Sequence, residues 1–426
     1  MSKILDFVTQ ESAAVAVAAH IELPETIEAG MVETMEAAEV AEEVLAEQAS
    51  VEAAITDGMV KLETLGTLEA ATSLEGIDDS DVAVAAGMLT AVGMELGVAE
   101  VAKPEEVSVE SIKDSLGKTT DVVKKAVTAA IAKLIELVKK AYVAIKKFFA
   151  AIDKTAKKIA DEAKSVKGNP SEEPIEVSSK DAIIALGVAG NNAVAVEVKD
   201  KKIIFKAEGE VSFKDLVSAQ SAIIVKGASA VEDSLGDLTD LAANGFTADG
   251  FEDKIEGIKG AFNGALDSVL KLIKLEEGQV AKAVMGGISV QTLDAESGKV
   301  KETTQYKFEV EGSVKVPHMD ASDIKTSASQ VASDFKAITG RLESISKNLS
   351  DLNAKVTKAV KEDKEGELAN RVEIKLVNFI VSSLLSSTVA TVESKAISGA
   401  KLELKLLAQM LKGFKEESQE ETKEDK

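Results

Sequence analysis

The stretch Ile324–Ala359, IKTSASQVASDFKAITGRLESISKNLSDLNAKVTKA, decides the fold. Its apolar residues Ile324, Ala328, Val331, Phe335, Ile338, Leu342, Ile345, Leu349, Leu352, Val356 and Ala359 advance in alternating steps of four and three. That spacing returns to one side of an α-helix every 3.5 residues, so the stretch predicts about five heptads of amphipathic helix. Gly340 interrupts the run at a cost of about 1 kcal/mol relative to Ala. The charged run Lys361–Glu367 then leads into a more apolar helical pattern over Arg371–Phe414. Residues 320–415 therefore read as an αα-hairpin, and the all-polar tail 416–426 as disordered.

Upstream, residues 175–317 read as a small α+β module. Ala193–Val198 and Lys202–Ala207 are rich in Val and Ile, alternate in polarity and meet at Asp200, which predicts a β-hairpin. A second pair is predicted over Ile288–Leu293 and Lys299–Val316, the latter broken near Gly312. Helical patterns cover Phe213–Leu241 and Asp253–Leu275, with turn signals at Asn244-Gly245 and Asp249-Gly250. The fold class is thus α+β, predominantly α-helical, with long heptad-seamed helices and a small antiparallel sheet module.

Residues 107–170 form a basic amphipathic helical segment. Asp121–Lys167 carries 12 Lys against five acids. Val127, Ile131, Leu134, Val138, Ala141, Ile145, Phe148 and Ile152 repeat the four–three alternation, and Lys133, Lys140, Lys147 and Lys154 recur every seven residues beside them. Gly168-Asn169-Pro170 is a strong stop signal. Three uses of such a helix stay open. Its seam can pack in a bundle with Lys stems covering apolar surface. It can lie on an anionic membrane, to which Phe148-Phe149 is suited. Or its ammonium groups can meet phosphates, in loose and salt-sensitive contact, or the protein's own acidic residues.

Those acidic residues are concentrated at the other end. Residues 1–106 hold 23 Asp and Glu against Lys3, Lys61 and Lys103, a net charge of −20. The whole chain carries −23, which leaves −3 for the rest. Such asymmetry marks an interaction tail, a disordered arm or a removable piece. Repulsion between like charges and the scattered Gly residues predict short, weakly held helices with breaks in this leader.

The 426 residues bound two or three domains. Apolar residues are 45% of the chain but aromatics only 3%, with no Trp, a balance that favours helices packed through narrow seams over a compact aromatic core. No Cys is present, which removes disulfides, thiolate metal sites and a Cys nucleophile and fits a reducing compartment. Met1–Asp6 lacks the basic-then-apolar layout of a signal peptide. The uncharged run Leu376–Val392 reaches the lower limit for a membrane span but carries Asn378 and several Ser and Thr, so it reads as a buried helix.

Little chemistry is visible. His20 and His318 are the two histidines and neither sits in a ligand or triad pattern. Asp78-Asp79-Ser80-Asp81 lacks the Gly and terminal Glu of a calcium loop and reads as a helix-capping turn. Gly260 and Gly264 suit close helix packing. No phosphate-binding loop, dinucleotide fingerprint or nucleophile elbow occurs. The expectation is a non-enzyme with no catalytic residue, no metal and no cofactor.

The opening MSKILDFVTQESAA, the following AHIELPETIEAG (Ala19–Gly30) and the basic AIKKFFAAIDKTAKK (Ala144–Lys158) together resemble the internal head, or prohead-core, proteins of large tailed bacteriophages. The resemblance covers residues 1–167. It implies a structural protein of the virion interior, made in the host cytoplasm and assembled with capsid or prohead-core proteins. It also implies non-specific contact with packaged DNA and an acidic propeptide that a prohead protease cuts after Glu. One such protease group favours Ser, Ala or Gly two residues before the cut, which selects Glu39, Glu43, Glu52, Glu75, Glu95 and Glu110, six of the 19 Glu up to that point. About a third of this region is Ser, Ala or Gly, so composition alone gives as many. A Leu-x-Glu preference selects Glu25 and Glu47 instead. Lys133, Lys140, Lys147 and Lys154 are the candidate phosphate or partner contacts. A −20 leader would repel packaged phosphates within a Debye length of about 8 Å, and before packaging it can neutralise the basic helix. A membrane-acting protein using the basic helix is the alternative, and heptad seams leave homo-oligomers open.

Overall fold

A computed structural model describes residues 24–72, 109–243, 257, 267–284, 287–295, 300–362 and 390–424. The chain runs α1 (Glu25–Thr72), α2 (Val109–Ala163), β1 (Ile175–Val177), α3 (Lys180–Val188), β2 (Val194–Lys199), β3 (Lys202–Ala207), α4 (Phe213–Ala243), α5 (Asp267–Leu270), β4 (Gln279–Val284), β5 (Gly287–Leu293), β6 (Val300–Gly312), β7 (Val314–Val316), α6 (Ala321–Glu362) and α7 (Ala390–Glu424). The protein is α+β and mainly helical.

The heptad stretch is α6. Asp320 caps it, accepting the Asp323 amide on Oδ1 at 2.9 Å, which satisfies one of the donors a helix start leaves open. Every seam residue from Ile324 to Leu352 is buried. Because the seam is apolar along its whole length, α6 can be covered on more than one side, and it packs on α2, α4 and α7. Phe335 meets Phe149 of α2 with ring centroids 5.2 Å apart, and Asp161 near the end of α2 senses Lys325 near the start of α6. These two helices therefore run antiparallel. Arg341 donates to Ser229 Oγ at 2.8 Å, Ser344 donates to Glu232 at 2.6 Å and Lys355 donates to the Thr239 carbonyl at 3.4 Å. The sequence numbers rise together, so α4 and α6 are parallel. Helix α7 runs antiparallel to α6, with Glu403 near Asp334 and Gly413 beside His318.

Gly340 sits exposed on α6 and nothing lies within 4 Å of where its Cβ would be. Gly340→Ala is therefore expected to stabilise the protein by about 1 kcal/mol, from helix propensity alone. A rise in the denaturant midpoint with unchanged slope checks it.

The β-rich part follows the predicted pairs closely. β2 and β3 form the hairpin, closed by Asp200 and Lys201 with φ of 49° and 62°, the left-handed pair of a two-residue turn whose twist matches the strands. The strand predicted over Lys299–Val316 is split after Gly312 into β6 and β7. Five strands lie in the order β2-β3-β6-β5-β4, and β1 pairs separately with β7. One pairing, β3 with β6, is parallel, so the larger sheet is mixed rather than wholly antiparallel. The hairpin returns to β6 only after α4, α5, β4 and β5, a connection long enough to bring the strand in from the same end. Strand β4, whose sequence QVAKAV is short and weakly alternating, carries no clear strand signal in the sequence. The turn signals at 244–250 and most of the helical pattern over 253–275 lie outside the described residues, as do residues 376–389 of the uncharged run.

Two readings change. The leader is not a set of broken short helices over residues 25–72: it is the single helix α1. Ile27, Gly30, Thr34, Ala38, Ala41, Leu45 and Gln48 are buried along it in steps of three and four, and this seam docks on α2 and α7. Packing, rather than propensity, holds the helix against its own charge. Likewise α7 continues to Glu424 through the tail read as disordered; Glu, Gln and Lys are good helix formers and extend a helix already anchored by its buried part. One hydrophobic core takes residues from α1, α2, the strands, α4, α6 and α7, so the sequence segments are not separately cored bodies.

Candidate functional site

The Lys row of α2 is the one feature the sequence singled out as a contact surface, and the structure shows what two of its members meet. Lys154 Nζ donates to Glu33 Oε1 at 2.6 Å, and Lys140 pairs with Glu47. Both partners belong to α1. The two Glu and the two Lys are each 14 residues apart in sequence, so α1 lies antiparallel along α2 with one fixed register. Lys147, midway between Lys140 and Lys154, falls opposite Val40, midway between Glu33 and Glu47. Lys147 is exposed and has no ion pair among the described residues. Lys133 lies on α2, where only its backbone is described. A third tie comes from α7, where Lys401 donates to Glu42 at 3.0 Å.

Beneath the ion pairs is a neutral polar contact. Thr155 Oγ1 donates to the Gly30 carbonyl at 2.9 Å, Thr34 Oγ1 donates to the same carbonyl at 2.9 Å, and the two hydroxyls are 2.9 Å apart. Both threonines are buried. The close approach needs Gly30: a Cβ there would sit 2.9 Å from Thr155 Oγ1. The seam of α1 is thus made of small groups, with Gly30, Thr34, Ala38 and Ala41 between Ile27 and Leu45. Small side chains bring backbones close but bury little apolar area each.

The electrostatics follow from this placement. The hydrogen bond from Lys154, and then its charge, hold the Glu33 carboxyl below its ordinary range, with Lys158 adding to the effect. The Lys154 and Glu33 side chains remain 61% and 48% exposed. Pairs this wet contribute little to stability and weaken with salt. The ion pairs therefore set register and mutual neutralisation more than they set stability.

The most strongly displaced carboxyl lies away from this interface. Burial on α7 pushes Glu403 well above the ordinary carboxylate range, and the charge of Asp334 pushes it further the same way. A carboxyl raised on folding favours the folded state below its unfolded pKa of about 4.3, and that contribution is lost as pH rises through the folded value, at about 1.4 kcal/mol per unit of displacement. Unfolding measured against pH is expected to show Glu403→Gln gaining stability relative to the parent as pH rises above about 5.

The candidate cut sites scatter. Glu39 and Glu43 are exposed on α1, Glu52 lies further along the same helix and Glu110 is in the first turn of α2. Glu75 and Glu95 lie outside the described residues. A protease needs an extended substrate, so cutting at the helical sites requires unwinding first. Phe148 and Phe149, the residues suited to a membrane surface, are buried in the core instead. His318 is half-buried beside α7, and a Cβ on Gly413 would meet its ring at 2.9 Å; His20 and Asp78–Asp81 lie outside the described residues. Among the described residues no cluster of three or more His, Asp or Glu is placed to hold a metal ion, and no helix is long and apolar enough to cross a membrane.

Sequence reasoning missed Glu33, Glu47, Gly30, Thr34 and Thr155. The signal for the first two was present: Glu33 and Glu47 share the spacing of Lys140 and Lys154. No protein-family model matches the chain, no curated protein is significantly similar to it and no solved structure matches it.

Proposed function

We infer that the chain is a structural component of a virus particle, an internal head protein of the kind its first 167 residues resemble, with an acidic leader that a prohead protease removes. The observation that carries this reading is the pairing of Glu33 with Lys154 and Glu47 with Lys140, which lays the acidic leader along the basic helix. In that state Lys140 and Lys154 are paired with acids of α1. Removal of the leader takes away most of the chain's net negative charge and frees Lys140 and Lys154 for phosphates at the stage when DNA enters. The small-residue seam, which brings α1 close to α2 while burying little apolar area per residue, supports a docking that can be undone.

The partners in this reading are capsid or prohead-core proteins, the protease and packaged DNA contacted without sequence preference. Mass spectrometry of purified particles tests it: peptides from α2 through α7 are expected, with almost none from residues 1–39. Leader peptides present in mature particles in proportion to the rest of the chain would overturn the propeptide reading.

A further inference from the structure

Four of the six large apolar side chains that stand exposed among the described residues are on one helix pair: Val32 at 52%, Met35 at 39% and Val40 at 52% on α1, and Val143 at 52% on α2. Val40 and Val143 are neighbours across the pair, because the register puts Val40 opposite Lys147, one turn from Val143. Around them the surface is divided by charge. On α1, Glu36, Glu39 and Glu43 are exposed without an ion pair among the described residues; on α2 the same holds for Lys139, Lys146 and Lys147. Lys146 does no more than approach the Tyr142 ring, at 5.8 Å.

We propose that this outward face of the α1–α2 pair is a docking surface for a second copy of the same chain. A face that is acidic on one half and basic on the other complements itself. Because the two helices are antiparallel and side by side, a two-fold axis running along them lays α1 of each copy over α2 of the other. Heights along the axis are kept, so Glu39 and Glu43 come within about one helical turn of Lys146 and Lys147 of the partner copy. The same operation covers Val40 and Val143, which an isolated chain leaves in water. A nucleic acid fits this face less well: its phosphates would meet Glu36, Glu39 and Glu43 and would bury no valine. The described parts of the heptad seams, Ala141 to Ile152 and Ile324 to Leu352, are not the surface used, since they are consumed inside the chain. The inference stands apart from the virion reading, because it needs only the uncut chain.

Sedimentation equilibrium of the full chain at low and high salt tests it. A dimer that weakens with salt is expected. Val143→Glu, or Lys146→Glu with Lys147→Glu, should each weaken it by about tenfold or more. Adding Glu39→Lys and Glu43→Lys to the reversed chain should restore it, since the complementarity is then rebuilt with opposite signs. Circular dichroism confirms that each variant is folded; if Val143→Glu is not, reversal and rescue decide the matter. A monomer at low salt, an assembly indifferent to the reversal, or a reversal that the second pair of substitutions fails to rescue would overturn the proposal. So would a monomer that binds a double-stranded DNA fragment through Lys146 and Lys147.

Discussion

Phe148→Ala is expected to destabilise the protein by about 3–5 kcal/mol, the range for removing a fully buried aromatic side chain. Phe148 has no exposed surface and is among the largest side chains so enclosed. Its ring lies 5.6 Å from that of Phe149, which in turn lies 5.2 Å from Phe335 of α6. The loss has two parts, the transfer of the ring's apolar area and the cavity left behind. In a close-packed core the surrounding side chains relax only partly into such a cavity. The chain has few aromatic residues, and α2 commits two of them to the core. Denaturant unfolding followed by circular dichroism gives the number. A change below about 1 kcal/mol would mean that α2 is not packed as described.

Gly312→Ala is expected to be as damaging, by a different route. Gly312 has φ of 83°, a conformation that costs an L-residue about 1–2 kcal/mol. A Cβ there would also lie 2.2 Å from the Ala207 carbonyl oxygen, its cross-strand partner in the parallel β3–β6 ladder. That atom is backbone and cannot swing aside as a side chain would. Gly312 is the residue at which one long strand leaves the five-stranded sheet and continues, after Ser313, as the partner of β1. Strain there disturbs both sheets at once, and a total loss of about 3 kcal/mol or more is expected. Gly340→Ala is the matched control, being the same chemical change on an open helix surface.

The parts of the fold that were legible share one property: their signal is local and strong. The seam from Ile324 to Leu352 alternates large apolar residues with polar ones, and all of it is buried. Val194–Ala207 alternates around a turn pair. The seam of α1 has the same period but is built from Gly30, Thr34, Ala38 and Ala41, which contrast little with their surroundings in hydropathy, so its acidity hid it. The Lys row was legible as a row. Its pairing with the acidic leader was legible from the opposite charges, but the particular partners were not, because Glu33 and Glu47 lie about a hundred residues away in sequence and no local pattern fixes the register. Glu403 sits in KLELKLL (Lys401–Leu407), where Leu and charged residues alternate without showing which face is covered. Only the placement of α7 among α1, α2, α4 and α6 shows that a carboxyl is enclosed there.

The pairing of β1 with β7 bears on the order in which the chain assembles. Ile175 lies against Val316, so a long excursion of chain starts and finishes at the same point. Joining two such distant sites in an unstructured chain is entropically expensive, and topologies that depend on it fold slowly. Here the expense is largely removed in advance, because β1 follows α2, β7 precedes α6, and those two helices pack antiparallel. Once α2 and α6 have met, the ends of the excursion are already neighbours. The helical frame thus shortens the loop that the β1–β7 pairing has to close, and a defect in the α2–α6 contact is expected to weaken that pairing as well as the bundle.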